Sequence, residues 1–260
     1  MILRVENLSK RFAGVVATNG LSFGVEQGSI TALIGPNGAG KTTALNLITG
    51  VLQPLGGHIK LKDIEITGWP THSIAARGLT RTYQNLQMFE GLTVLETVMV
   101  GAHRSGHSSW VGALLRTPYV RAEERALEQR AREALDISGV ARSDFERIAT
   151  ELPYGMQRRV EIARATASKP DLLLLDEPAA GLNNRESETM ARLISNLRGS
   201  GMTILLVEHD MNLVMGVSDH VVVMNFGRLL SEGTPDQVQR DEAVIEAYLG
   251  KSEEESDALA

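Results

Sequence analysis

The chain has no cysteine, which excludes disulfides and thiolate metal centres and suits a reducing compartment. Aromatic residues make up only 4% of it, so aliphatic side chains must dominate the packing. No uninterrupted apolar run reaches the roughly 18 residues that a membrane-spanning helix needs, and Met1 to Glu6 lack the apolar core of a signal peptide. Work at a membrane would therefore require docking to a partner. Basic residues are not in excess: 26 Lys and Arg against 32 Asp and Glu give a net charge of -6, so electrostatics offer no reason to expect nucleic acid as a partner. A hydrophobic share of 43% allows a full core, and 260 residues suffice for one large domain or two small ones.

The most informative stretch is Gly35-Pro36-Asn37-Gly38-Ala39-Gly40-Lys41-Thr42, which fits the phosphate-binding P-loop pattern G-x-x-x-x-G-K-[ST]. An apolar, β-branched run from Ser29 to Ile34 precedes it, and a helical pattern from Thr43 to Thr49, closed by Gly50, follows. Glycines let successive backbone N–H groups turn toward phosphate oxygens, and a helix N-terminus adds partial positive charge. Lys41 is placed to reach the β- and γ-phosphates, Thr42 to hold Mg²⁺, and Thr43 to flank them.

Four short apolar runs, Thr31 to Ile34, Leu172 to Leu175, Thr203 to Val207 and Val221 to Met224, do not alternate with polar residues. They read as strands buried on both faces of a parallel sheet. Between two of them, Met190, Leu193, Ile194 and Leu197 keep helical spacing, with Asn183 or Asn184 as the cap. The middle of the chain, about Asn85 to Ala165, is mostly helical, most clearly over Val94 to Ala102 and Arg121 to Ile137, with a loop over His103 to Pro118. Leu3 to Val25 with Gly57 to Ile66 reads as short antiparallel strands broken by glycines. Lys251 to Ala260, rich in Glu and Ser, reads as a solvated, disordered tail. There is no internal repeat.

Leu172-Leu173-Leu174-Leu175-Asp176-Glu177 is an apolar strand ending in acids, the Walker B pattern. Such a strand delivers Asp176 beside the P-loop to hold Mg²⁺, and sets Glu177 at the mouth of the site, where it can orient or deprotonate the attacking water.

With these elements in place, residues 1 to about 250 resemble the ATP-binding cassette (ABC) family. Gln84 matches its Q-loop glutamine, Leu152 to Val160 its signature segment, Ala180-Gly181-Leu182-Asn183 its D-loop, His209 its switch histidine, and Phe12 the aromatic that stacks on adenine. Taken singly, Gln84 also reads as a surface glutamine, Phe12 as a core aromatic and His209 as a capping or loop histidine. Their order and spacing are what carry the resemblance. Arg81-Thr82-Tyr83-Gln84-Asn85-Leu86, Glu177 to Asn183 and Val207-Glu208-His209-Asp210-Met211 look most like the LivG-type ATPase subunits of branched-chain amino acid importers.

The resemblance implies an α/β P-loop NTPase (RecA-like) core with a parallel sheet, a small antiparallel β-subdomain and an inserted α-helical subdomain. The core takes in 1–84 and 166–250, the helical signature subdomain 85–165, and the tail 251–260. It implies ATP and Mg²⁺ as cofactors, with Thr42, Asp176 and Gln84 around the metal, and Glu177 and His209 as catalytic residues. It implies a second ABC ATPase subunit, alike or different, facing this one head to tail, so that Pro153, Tyr154, Gly155 and Met156 act on the partner's ATP and Asn183 lies in the D-loop between the sites. Two membrane permease subunits and, indirectly, a periplasmic substrate-binding protein complete the assembly, at the cytoplasmic face of the inner membrane. Met88 and Phe89 either fill the helical core or meet a permease helix; both readings stand. Pro153, Tyr154, Met156 and Asn183 depart from the general family pattern, which raises the prospect of two unequal sites. Competing readings are a soluble ABC-type ATPase not coupled to transport, a P-loop GTPase or kinase, and a nucleotide sensor without turnover. The single P-loop, the absence of a long heptad stretch and of an Asn-Lys-x-Asp motif, and the intact Lys41, Asp176, Glu177 and His209 argue against them.

Overall fold

The computed structural model describes residues 1–102 and 118–248. The loop expected over His103 to Pro118, as far as residue 117, and the tail at 251–260 lie outside them.

Five strands, β3 (Ile30–Ile34), β6 (Leu79–Arg81), β7 (Leu172–Asp176), β8 (Thr203–Val207) and β9 (His220–Asn225), form a parallel sheet that β10 (Arg228–Gly233) extends by one antiparallel edge, in the order β10-β9-β3-β8-β7-β6. Every residue of β3, β7 and β8 is buried, because successive side chains point to opposite faces and both faces are covered. Leu172, Leu174, Leu205 and Val207 join the core beneath helix α1 (Lys41–Ile48) and a second sheet. Leu173, Leu175, Ile204 and Leu206 face the other way, onto Met190, Leu193, Ile194 and Leu197 of a long helix (Asn184–Gly199).

The second sheet is antiparallel, in the order β2 (Val15–Val25), β1 (Leu3–Phe12), β4 (Gly56–Leu61), β5 (Ile64–Glu65). Its first two strands are 11 and 10 residues long, not short. The irregularities that the sequence suggested as breaks are register shifts within continuous strands. A two-residue turn joins β1 to β2, with Ala13 and Gly14 both at positive φ, the geometry that matches the twist of a tight hairpin.

After α2 (Thr71–Ala76) and β6, the chain builds a separate helical body from α3 (Val94–Ala102), α4 (Pro118–Ile137) and α5 (Tyr154–Thr166). Its own apolar cluster contains Val98, Ala131, Leu135, Phe145, Val160 and Ala163, with Met88 and Met156 packed against it. Helix α4 takes in Pro118, which the sequence reading places in the loop before it. The long helix is α6. Asn183 caps it in a reciprocal capping box with Glu186, which decides between the two asparagines. Helices α7 (Met211–Val217) and α8 (Pro235–Gln239) flank the β9–β10 edge.

Candidate active site

Strand register brings the site together. Leu33 and Asp176 both pair with Val207, while β6 runs on beside β7 through Thr82 N–H to the Leu174 carbonyl (2.9 Å). Gly35, Glu177 and Glu208 therefore leave the carboxyl ends of neighbouring strands at one level, with Gln84 just past β6. This is the edge at which parallel α/β sheets bind ligands.

Gly40, at φ 101, is the N-cap of α1, and a Cβ there would run into the Ala17 carbonyl of β2. Only glycine lets the loop pass so close to the antiparallel sheet. Lys41 folds over the loop and donates to the carbonyls of Gly35 (2.6 Å) and Pro36 (3.1 Å). Asn37 and Gly38 are exposed at the loop tip, Ala39 is buried, and Thr42 and Thr43 lie in the first turn of α1. Phe12 is 43% exposed, so it is not a core aromatic. It pairs with Val15, two residues from the Ala17 that touches the loop, and Lys10 Nζ lies 5.4 Å from its ring centroid.

Asp176 is buried and engaged by Arg81, whose Nη2 donates to Oδ2 at 2.7 Å while Nη1 reaches Asn46 Oδ1 of α1 at 2.7 Å. Glu177 sits at φ 49, an unfavourable backbone for a residue with a Cβ and one that occurs at strained functional positions. Its N–H donates to the Val207 carbonyl (2.8 Å), its Oε2 accepts from Gln84 Nε2 (2.9 Å), and His209 Nδ1 lies 3.9 Å from the same oxygen. Gln84 is thus at the surface and bonded to Glu177 at once. His209 is exposed and does not cap α7; the Asp210 side chain does, accepting from the N–H groups of Asn212 and Leu213.

Two positioning groups escaped the sequence reading. One is Arg81. The other is Glu208, 1% exposed, whose Oε1 accepts from Ala179 N–H (2.7 Å) and whose Oε2 accepts from His209 N–H (3.0 Å). It pins the turn after Glu177 to the turn that carries His209. A lone arginine in a strand pattern and an acid directly after an apolar strand were the only sequence signals.

At the signature segment Pro153 is the N-cap of α5. The Met156 N–H bonds to the Pro153 carbonyl (2.9 Å) within the turn. The Tyr154 hydroxyl lies 3.3 Å from the Ala180 carbonyl and accepts from Arg158 Nε at 3.0 Å. Gly155 packs against Glu186 of the α6 capping box. The Asn183 side chain accepts from Glu186 N–H (3.1 Å) and so serves as the cap of α6 within the D-loop. Met88 packs on the helical cluster, as the core reading expects, whereas Phe89 is 42% exposed beneath the Arg164 guanidinium and so does not fill that core.

Comparison with known proteins agrees with this geometry. The ABC transporter family profile matches residues 18–180 and a branched-chain amino acid ATP-binding cassette transporter profile matches residues 228–254. The high-affinity branched-chain amino acid transport ATP-binding protein BraF of Pseudomonas aeruginosa is 46% identical, over 96% of this chain and 98% of its own. LivG of Escherichia coli K12, with the same description, is 44% identical over the same shares. Among solved structures, a nucleotide-free ATP-binding cassette from an ABC transporter superposes with a TM-score of 0.81 at 32% identity, covering 95% of this chain and 98% of that one. The ADP conformation of such a cassette gives 0.82, also at 32% identity, covering 96% and 98%. With a P-loop, an acid-ended strand, a glutamine, a histidine and a signature helix gathered on this fold, the chain belongs to the ATP-binding cassette family and is an ATPase of the ABC transporter type.

Proposed function

We propose that this ATPase powers an importer of branched-chain or other amino acids, working as a peripheral subunit on the cytoplasmic face of the inner membrane. The observation that carries the reading is the convergence of Gln84, Glu177 and His209 beside the P-loop, on a chain whose relatives serve branched-chain amino acid transport. Among the described residues no helix is long and apolar enough to cross a membrane, so coupling has to pass through contact with permease subunits.

The roles follow from chemistry. Lys41 exchanges its loop carbonyls for the β- and γ-phosphates, and the loop N–H groups share their charge. Phe12 offers its exposed ring to adenine. Glu177, held by Gln84, orients or deprotonates the attacking water, and His209 beside it polarises the γ-phosphate. The oxygens of Thr42, Gln84 and Asp176 form a hard donor set of the kind Mg²⁺ takes, without sulfur or imidazole. Bound there, Mg²⁺ supplies charge neutralisation on the transferred phosphoryl. The signature turn, Pro153 to Met156, and Asn183 face the ATP of a second cassette, so that ATP bridges the two and its cleavage releases them. In this scheme 1–84 with 166–250 and the helical 85–165 act as two units. A cavity of about 260 Å³ lined by Phe89, Val100, Gly101 and Arg164 receives a permease helix.

The test uses the assembled complex with two permeases, a second cassette and a binding protein. Lys41→Ala abolishes uptake and ATP turnover, and a cysteine at position 89, the only thiol in the chain, crosslinks to a permease. Uptake untouched by Lys41→Ala, with no crosslink, would overturn the proposal.

A further inference from the structure

Glu177 is held in a closed ring of hydrogen bonds, part of which phosphate chemistry does not require. Gln84 Nε2 donates to its carboxylate at 2.9 Å. Arg158 Nη2 donates to the Gln84 carbonyl at 2.5 Å, and Nε of the same guanidinium donates to the Tyr154 hydroxyl at 3.0 Å. Tyr154 O–H donates to the Ala180 carbonyl at 3.3 Å, and Ala180 N–H donates back to the Glu177 carbonyl at 3.1 Å. Five residues from three segments close on themselves: the exit of β7, the segment after β6 and the first two turns of α5.

The links differ in firmness. Arg158 is fixed on several sides, with its side chain 3% exposed, an ion pair to Glu161 at 3.1 Å and a further bond to the Tyr83 carbonyl at 3.2 Å. The Ala180–Glu177 link is a backbone turn. Tyr154, 42% exposed, is joined to the ring by one oxygen that accepts on one side and donates on the other, the full use of a phenol. Its ring also lies on Gly181, where an added Cβ would sit 3.3 Å from it.

We propose that Tyr154 is a positioning residue, whose hydroxyl locks the signature turn to the segment carrying Glu177 and so ties the aim of the general base to the turn that faces the second cassette. This rests on the reading of Glu177 as general base and of the signature turn as an intersubunit element. A tyrosine rather than a small residue at this position gives each cassette an internal strut: displacement of α5 by nucleotide on one side reaches the carboxylate on the other through a continuous chain of hydrogen bonds, not through distance alone.

The test is a double-mutant cycle in the assembled transporter, read as steady-state kinetics. Tyr154→Phe keeps the ring on Gly181 and removes one oxygen. The expected result is a KM for Mg-ATP within about twofold of wild type and a kcat lower by about three- to tenfold, the effect that one hydrogen bond of ordinary strength supports. In a Gln84→Ala background, where the ring is already open, Tyr154→Phe changes kcat by less than about twofold. Arg158→Lys, which opens the ring from its other side and keeps the charge beside Glu161, shows the same loss and the same non-additivity with Tyr154→Phe. A purely structural role would lower the unfolding midpoint and add in full. Wild-type kcat in Tyr154→Phe, or an equal fractional loss in both backgrounds, overturns the proposal. Wild-type hydrolysis by Glu177→Gln would instead sink the assignment of the general base, so the two failures are distinguishable.

Discussion

Arg81 and Asp176 form an ion pair 2.7 Å across, with side chains 5% and 6% exposed. The guanidinium also bonds Asn46 of α1 at 2.7 Å, so one cation fixes the Walker B carboxylate against both the edge strand and the helix that follows the P-loop. Its Nε has no partner among the described residues. A pair this deeply buried contributes little net stability against an apolar substitute of similar volume, yet removing one member strands the other's charge. Arg81→Met is therefore expected to cost about 3–5 kcal/mol, read from urea unfolding. Arg81→Met combined with Asp176→Leu recovers most of that stability while abolishing ATP turnover. Full additivity of the two losses would show that the pair is not the cause.

Glu177 accepts from Gln84 through one oxygen and stands at a strained backbone position, features of a group held for chemistry. Glu177→Gln keeps shape and polarity and removes the basic oxygen. ATP affinity, measured by titration calorimetry, is expected to stay within about threefold, while turnover falls by roughly 10²–10⁴-fold, the range general base catalysis supplies.

Burial pushes the Glu208 carboxyl above its ordinary 4.5, and three backbone N–H groups pull against that without cancelling it. The folded chain therefore holds this proton more tightly than the unfolded chain does. The stability it contributes is full below pH 4.5 and fades as the pH rises through the raised folded value. Glu208→Gln does not titrate. Wild-type stability minus that of the variant is expected to shrink as the pH climbs from 4.5 through the raised folded value, measured by denaturant unfolding at several pH values. A constant or growing difference would exclude the desolvation account.

Gly101 of α3 packs so tightly on the signature helix that an added Cβ would overlap the Arg164 carbonyl. Backbone cannot rotate away as a side-chain tip can. Gly101→Ala is expected to destabilise the helical body by about 1–3 kcal/mol, seen as a lower thermal midpoint. An unchanged midpoint would mean that α3 shifts freely against α5.

The P-loop, the acid at the end of β7 and, to within one residue (Asn183 or Asn184), the cap of α6 were legible because each is a local pattern. Glycines at fixed offsets, an apolar run ending in an acid and an asparagine ahead of a helical pattern carry their meaning within a few positions. Strand continuity in the antiparallel sheet was not legible: glycines that look like breaks are accommodated by register shifts that depend on the neighbouring strand. The division between Met88 and Phe89 was also hidden, since adjacent apolar residues turn to opposite sides only once α5 is in place.

By itself the sequence determined the chemistry available: a phosphate-binding loop, two adjacent carboxylates, a glutamine and a histidine in the order of an ABC-type ATPase. Tertiary structure alone decided who holds those groups in place. Arg81 meets Asp176 across 95 positions, Arg158 meets Gln84 across 74 and Glu208 meets Ala179 across 29. The physical reason is that a motif is written in neighbouring residues, whereas the aim of a carboxylate is set by whichever cation or N–H the packing of strands and helices brings within about 3 Å of it.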